Sequence, residues 1–192
     1  CLNAGCIPSK ALLESSEYYA DLKDTSVHPG ISLQGLELDL KEIQHDKNKI
    51  VSELTGGIQA LFRANGVTSI SGQAQLQADR HIIVTSMEDD KKIKLLASNI
   101  IIATGSRPID IAAAKMDQQR IVDSQDALQF DEIPERLGII GAGVIGLEMG
   151  SVWQRFGSEV TILEAQECFL PAADREVAAL ALAEYRRQGL TI

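Results

Sequence analysis

The sequence predicts an α/β fold built on a parallel, doubly wound sheet, and three observations predict it. An apolar stretch at 137–140 reads as a strand and runs straight into a glycine-rich turn at 141–146. A helix pattern at 144–156 opens directly out of that turn. A second strand, 159–163, follows at once and leads to a second helix, 174–188. Strand, helix, strand, helix in this order is the pattern of a parallel sheet covered by helices.

The elements before this unit follow from their periods. Residues 1–10, CLNAGCIPSK, form a compact motif, and 11–22 read as helix. His28-Pro29-Gly30 marks a loop. Residues 41–64 read as a longer helix, because Ile43, Ile50, Val51, Leu54, Ile58, Leu61 and Phe62 recur near helical spacing. Gly56-Gly57 interrupts that pattern and is expected to loosen it. The period then changes, and 67–70, 73–77 and 81–86 read as strands separated by Gly and Asp. Residues 88–92 read as a charged turn. The apolar run 99–103, followed by Thr104-Gly105-Ser106, reads as a short buried strand. Residues 107–135 carry Pro108 and Pro134 and read as a connection with a short helix near 124–128.

Composition narrows the function classes. The chain has 192 residues and a formal net charge of −9. That charge argues against a nucleic-acid partner, which needs a basic face. Its longest apolar runs fall far short of a membrane span, so no membrane partner is expected. The chain begins at Cys1 without Met and ends inside what reads as a strand, so both ends are read as cut.

Gly141-Ala142-Gly143-Val144-Ile145-Gly146 matches G-x-G-x-x-G. It follows an apolar strand, opens a helix, and is trailed by Glu164 at the end of the next strand, which is the context the motif requires. Gly141 permits the tight turn, Gly143 lets backbone approach a pyrophosphate, and Gly146 lets helix pack on strand. The helix N-terminus offers oriented N–H groups to phosphates. Glu164 would accept both ribose hydroxyls and repel a 2′-phosphate, so NAD is expected rather than NADP. The opposing reading is a glycine turn that binds nothing, with Glu164 a solvated acid.

Three cysteines occur, Cys1, Cys6 and Cys168. Cys1 and Cys6 enclose Leu-Asn-Ala-Gly, and Gly5 gives the loop freedom to close. Pro8 is tolerated in a first helical turn, so a helix is expected to start beside Cys6. Its N-terminus and the nearby Lys10 would stabilise a Cys6 thiolate. Half of a zinc site, a structural disulfide and two free thiols remain as alternatives, although no second Cys or His pair follows at metal spacing. A dinucleotide site in the same chain favours redox chemistry, because hydride and dithiol chemistry are joined by a flavin. His28, His45 and His81 read as surface residues, Cys168 as a bystander and Trp153 as a packing residue.

CLNAGCIPSK resembles the redox-active motif of the pyridine nucleotide-disulfide oxidoreductases, and IIATGSRP resembles the segment that closes their FAD domain. GIIGAGVIGLEMGSVWQRFGSEVTILEA, LTGGIQALFRANGVTSISG and SRPIDI are similar to the dihydrolipoamide dehydrogenase branch of that family. The resemblance covers essentially the whole chain. It implies an FAD/NAD(P)-binding, Rossmann-like two-domain flavoprotein, truncated here at both ends. Residues 1–112 would be the C-terminal portion of the FAD-binding domain, and 113–192 the N-terminal portion of the NAD-binding domain.

The resemblance also implies a mechanism. Dihydrolipoamide, carried on the lipoyl-bearing acyltransferase subunit of a 2-oxo acid dehydrogenase complex, would reduce a Cys1–Cys6 disulfide. Cys1 would be the interchange thiol and Cys6 the charge-transfer thiol. Electrons would pass to FAD and then as hydride to NAD⁺. Lys10 matches the family lysine near the flavin, and Glu148 matches its ion-pair partner. An acid on a helix that packs against a sheet needs such a partner in any case. Thr104, Gly105 and Ser106 match FAD contacts, and Ala74 stands where many members carry a glycine near the adenine. Leu147 lies with Ala142, Val144, Ile145 and Glu148 in the stretch matching the NAD site.

Glutathione reductases typically carry a tyrosine at the position of Val144 and basic residues where Glu164 stands. Mercuric reductases share a similar cysteine motif and are not set aside by it. A dinucleotide-binding module without catalysis is the other alternative, and the co-occurrence of Lys10 and Glu148 weighs against it. The full-length protein is expected to be a homodimer. Its site is expected in the bacterial cytoplasm, or alternatively in the mitochondrial matrix. The isolated chain is expected to be inactive, since the first FAD motif and the family's His-Glu pair would lie outside it.

Overall fold

The computed structural model describes residues 1–24, 27–31 and 33–192. The chain divides into two compact units, one formed by 1–55 with 108–192 and the other by 56–107. Helix α2 (Leu40–Ala64) spans the boundary between them in sequence.

In the first unit, β4 (Arg136–Ile140) and β5 (Glu159–Leu163) pair in parallel, with Arg136 opposite Glu159 and Ile140 opposite Leu163. Helix α4 (Val144–Phe156) is the crossover between them. It stops at Gly157, whose φ of 122° is open to glycine but strained for other residues, and whose N–H closes back onto Trp153 and Gln154 carbonyls. Helix α5 (Arg175–Arg187) follows, capped by the Asp174 carboxylate on the N–H groups of Glu176 and Val177. Thr191 then bridges in parallel to Thr161 on β5, so the chain re-enters the sheet at its end. These elements match the expected ones nearly residue for residue.

Helix α1 (Cys6–Lys23) is longer than the 11–22 read from its pattern, and it begins at Cys6, where Pro8 led a helix to be expected. The Ser9 N–H already bonds the Gly5 carbonyl, at 3.0 Å. Pro8 sits in the first turn, where its missing N–H costs nothing. Leu12 on α1 packs into a core with Leu147, Val152, Trp153 and Phe156 of α4 and with Val160 and Ile162 of β5. Trp153 is fully buried, with the Phe130 and Phe156 rings 5.2 and 5.9 Å away, so it is the packing residue expected. Among the described residues its Nε1 has no hydrogen-bond partner.

Lys47, on α2, is 1% exposed and donates to the Leu128 carbonyl at 2.6 Å. Leu128 closes the short helix α3 (Ser124–Ala127), where a cation suits the negative end of the helix. Burial lowers the Lys47 pKa from its ordinary 10.5 to about 8. Between those values the unfolded chain binds more protons than the folded one, so stability rises with pH across the window. Lys47 thus weakens the fold below about pH 8, and this penalty disappears above 10.5. The urea midpoint is expected to climb between pH 8 and 10, and Lys47→Met is expected to flatten that slope.

In the second unit, β1 (Gln73–Leu76), β2 (His81–Thr85) and β3 (Lys92–Leu96) form an antiparallel sheet in that order. Several expectations are corrected here and along α2. The helix runs through Gly56-Gly57 unbroken, since each glycine costs only about 1 kcal/mol and does not end a helix. Residues 67–70 are not a strand. Gly66 takes a φ of 64° and the Val67 N–H turns back to the Phe62 carbonyl, so this segment begins as a helix C-cap. Residues 99–103 are neither a strand nor buried: Ile101 is 90% exposed and no strand pairs with the run among the described residues. An apolar run forms a ladder only where a neighbouring strand completes it. Conversely β3 was masked by its lysines, and the turn before it closes with the Ser86 N–H on the Lys91 carbonyl.

Among the described residues, no helix is long and apolar enough to cross a membrane. No group of three or more His, Cys, Asp or Glu among them could hold a metal ion.

Candidate functional site

The Cys1 and Cys6 sulfurs are joined as a disulfide, with the two Cα atoms 4.5 Å apart. Both cysteines are exposed. The Cys1 carbonyl accepts the Ile7 N–H at 3.1 Å, which ties the loop to the first turn of α1. Cys6 therefore occupies the positive end of a helix, where a thiolate released on reduction is stabilised. Lys10 lies four residues on, so its side chain rises from the same face of α1 as Cys6.

Lys10 reaches across to α4. Its Nζ donates to Glu148 Oε1 at 2.6 Å, and the neighbouring Ser9 Oγ donates to Glu148 Oε2, also at 2.6 Å. Burial pushes the Glu148 pKa up. The hydrogen bonds from Lys10 and Ser9 and the Lys10 charge outweigh that push, so its carboxyl is held below the usual carboxylate range. The acid is ionised and fully engaged. At the other end of α4, the Arg155 guanidinium donates to the Leu13 carbonyl at 3.5 Å and to Ser16 Oγ at 3.4 Å. Helices α1 and α4 are thus tied at two points.

The glycine turn has the geometry its motif predicts. Gly141 takes a φ of 107°, and its N–H bonds the Leu163 carbonyl at 2.7 Å. A Cβ at Gly146 would lie 2.1 Å from the Gly141 carbonyl oxygen, so only glycine brings α4 this close to the turn. A Cβ at Gly143 would meet nothing within 4 Å. That position opens outward, with backbone that a bound pyrophosphate could approach. The N–H groups of the first turn of α4 have no partner within the helix. Glu164 folds back on the turn: Oε2 accepts the Ala142 N–H and Oε1 the Gln166 N–H, each at 2.8 Å. These bonds, Gln166 first and Ala142 second, lower its pKa. Each oxygen keeps a second lone pair for a ribose hydroxyl. The turn, the helix N-terminus and this carboxylate fit a dinucleotide.

The remaining expected residues are distributed as follows. Val144 and Ile145 are exposed on the first turn of α4, whereas Ala142 and Leu147 point into the core. Ala74 lies on β1 opposite Val84, and Thr104, Gly105 and Ser106 lie in exposed coil, all within the second unit. Cys168 is free and exposed. His28 and His45 are exposed and His81 half-buried. Sequence reasoning assigned no role to Ser9, Ser16 or Arg155. A signal was there: Ser9, Leu12 and Ser16 recur at helical spacing, which puts two hydroxyls on an apolar face.

Comparison with known proteins supplies the family. The family model described as pyridine nucleotide-disulphide oxidoreductase matches residues 1–192. The mitochondrial dihydrolipoyl dehydrogenase of Pisum sativum is 42% identical over 190 residues, covering 99% of this chain and 38% of the relative. Dihydrolipoyl dehydrogenase 3 of Pseudomonas putida is 43% identical over 191 residues, covering 99% and 41%. The chain therefore spans about two-fifths of the length of these curated relatives. Among solved structures, LpdA of Mycobacterium tuberculosis superposes with a TM-score of 0.86 at 23% identity, over 99% of this chain and 41% of that one. The HOCl-induced flavoprotein disulfide reductase RclA of Escherichia coli superposes with a TM-score of 0.70 at 28% identity, over 100% and 39%. With a disulfide at one helix start, a glycine turn at another and a family match from end to end, this chain belongs to the pyridine nucleotide-disulphide oxidoreductases.

Proposed function

We propose that the chain forms part of an NAD-linked dihydrolipoamide dehydrogenase. The observation that carries this reading is the Ser9/Lys10–Glu148 link, which joins the helix bearing the disulfide to the helix that opens from the glycine turn. A module that only bound a dinucleotide has no use for a lysine held beside a disulfide. Relatives named dihydrolipoyl dehydrogenase from a plant mitochondrion and from a bacterium support the substrate class.

In this reading one thiol of dihydrolipoamide attacks the Cys1 sulfur, forming a mixed disulfide and releasing Cys6 as a thiolate. The second substrate thiol then attacks the sulfur of the substrate moiety in that mixed disulfide. Lipoamide leaves with its own disulfide closed, and Cys1 leaves reduced. The α1 N-terminus and Lys10 stabilise the Cys6 thiolate. FAD, when bound, supplies the passage of the electron pair from the dithiol to NAD⁺. Lys10 fits the FAD assignment because it presents a charged group on the face of α1 that carries Cys6. Ala74, Thr104, Gly105 and Ser106 are proposed as further FAD contacts. Gly141 to Leu147 and Glu148 are proposed to shape the NAD site, with Glu164 selecting against a 2′-phosphate.

Residues 1–112 then serve the FAD domain and 113–192 the NAD domain. The partners are a second copy of the full-length protein and a lipoyl-bearing acyltransferase of a 2-oxo acid dehydrogenase complex. The proposed location is the cytoplasm of a bacterium, with the mitochondrial matrix as the alternative, since relatives of both kinds match. The test is NAD⁺ reduction by dihydrolipoamide in the full-length protein, with Cys6 intact and as Cys6→Ser. Turnover is expected to fall by about four orders of magnitude or more, as when an enzyme loses one member of a catalytic set that acts as a unit. Bound flavin and a reducible disulfide without dihydrolipoamide activity would keep the family and reject the substrate, leaving mercuric ion and other disulfides as substrates.

A further inference from the structure

We infer that Ser9 is a positioning residue for Lys10: by holding the second oxygen of Glu148, it fixes where the lysine's charge sits beside the redox centre. The inference rests on the flavoprotein reading above and gives Ser9, there only one arm of the link between two helices, a role of its own.

The hydroxyl's choice of partner is the first support. A serine inside a helix usually bonds back to a carbonyl three or four residues earlier. Ser16 on the same helix does so, to the Leu13 carbonyl at 2.8 Å, and Ser151 on α4 does so, to the Leu147 carbonyl at 2.8 Å. Ser9 instead crosses to α4 and donates to Glu148 Oε2 at 2.6 Å, while the Gly5 carbonyl behind it takes the Ser9 N–H.

The second support is the contrast in burial. The Lys10 side chain is 59% exposed, and Glu148 is its ion-pair partner. A single exposed ion pair is weak and holds a long side chain loosely. Ser9 is 5% exposed and fixed in the α1 backbone. With Ser9 on one oxygen and Lys10 on the other, the carboxylate cannot rotate without breaking a bond, so the ammonium inherits the order of a buried hydroxyl. The same bond helps keep Glu148 ionised against its burial.

A fixed ammonium near a bound flavin favours the negative charge gained on reduction. The test is the flavin midpoint potential of the full-length flavoprotein carrying Ser9→Ala, Ser9→Thr, Lys10→Met or Ser9→Ala with Lys10→Met. Ser9→Ala is expected to lower the potential by about 30 mV, a tenfold change in the two-electron equilibrium. Ser9→Thr keeps the hydroxyl and is expected to remain at the parent value. In the Lys10→Met background, Ser9→Ala is expected to change nothing, because the group it positions is gone. Steady-state data should show kcat reduced with the KM for NAD⁺ unchanged. Equal shifts for Ala and Thr, no shift for Ala, or the same Ala shift with and without Lys10 would each overturn the inference. A full-length protein that binds no flavin would overturn the functional reading with it, whereas bound flavin at an unmoved potential would overturn the role of Ser9 alone.

Discussion

Gly146→Ala in the full-length protein is expected to weaken NAD⁺ binding by roughly ten- to a hundredfold and to destabilise the fold at the same time. The added Cβ would lie 2.1 Å from the Gly141 carbonyl oxygen and 3.2 Å from the Ile139 side chain. Backbone cannot yield cheaply, so α4 must lift from the turn. Overpacking of this kind costs about 1–3 kcal/mol, and each 1.4 kcal/mol is tenfold in affinity. Gly143→Ala is the informative partner. Its Cβ meets nothing of the protein within 4 Å, and its φ of −75° suits any residue, so stability should hold. Affinity should nevertheless drop, because that Cβ occupies the approach of the pyrophosphate. Calorimetric titration with NAD⁺ and a thermal melt on each variant separate the two effects. Unchanged affinity in Gly143→Ala would remove the pyrophosphate from this turn.

Trp153→Ala is expected to cost about 3–5 kcal/mol, the range for removing a buried aromatic side chain. Trp153 touches the core from the last turn of α4, between Phe130 and Phe156. A loss of that size is a large part of the 5–15 kcal/mol by which domains are stable. Trp153→Phe should cost far less, since it keeps a ring in place and removes a buried Nε1 that lacks a partner among the described residues. Trp153 is the only tryptophan, so unfolding of the variants must be followed by circular dichroism rather than fluorescence. Similar losses for Ala and Phe would mean that the indole itself, not the volume it fills, secures the site.

The strand–turn–helix unit from Arg136 to Arg187 was legible in the sequence because every cue there is local. Gly141 and Gly146 announce the turn, the apolar strand precedes it, and Asp174 caps the next helix within two or three residues. The disulfide was legible through a resemblance, since the spacing of Cys1 and Cys6 alone left zinc, free thiols and a structural bridge open. Glu148 was half legible: an acid on a packed helix demanded a partner, and only the fold could show that Ser9 shares it. The misses have one physical cause. Residues 99–103 are the more apolar run yet stay coil, and Lys92–Leu96 forms a strand despite two lysines, because only the second has another strand alongside. Ladder pairing is non-local, so it cannot be read from a strand's own residues. Lys47 was missed for a related reason, because its acceptor is a carbonyl 81 residues away.

The two ties between α1 and α4 also bear on how such a protein can change over generations. Ser9 and Glu148 are 139 positions apart in the chain, and Ser16 and Arg155 are equally far apart. Recombination that exchanged the first segment for a homologue's would have to bring the second along, or restore the matching side chains one by one. The two helices are therefore a single unit of inheritance written in two places.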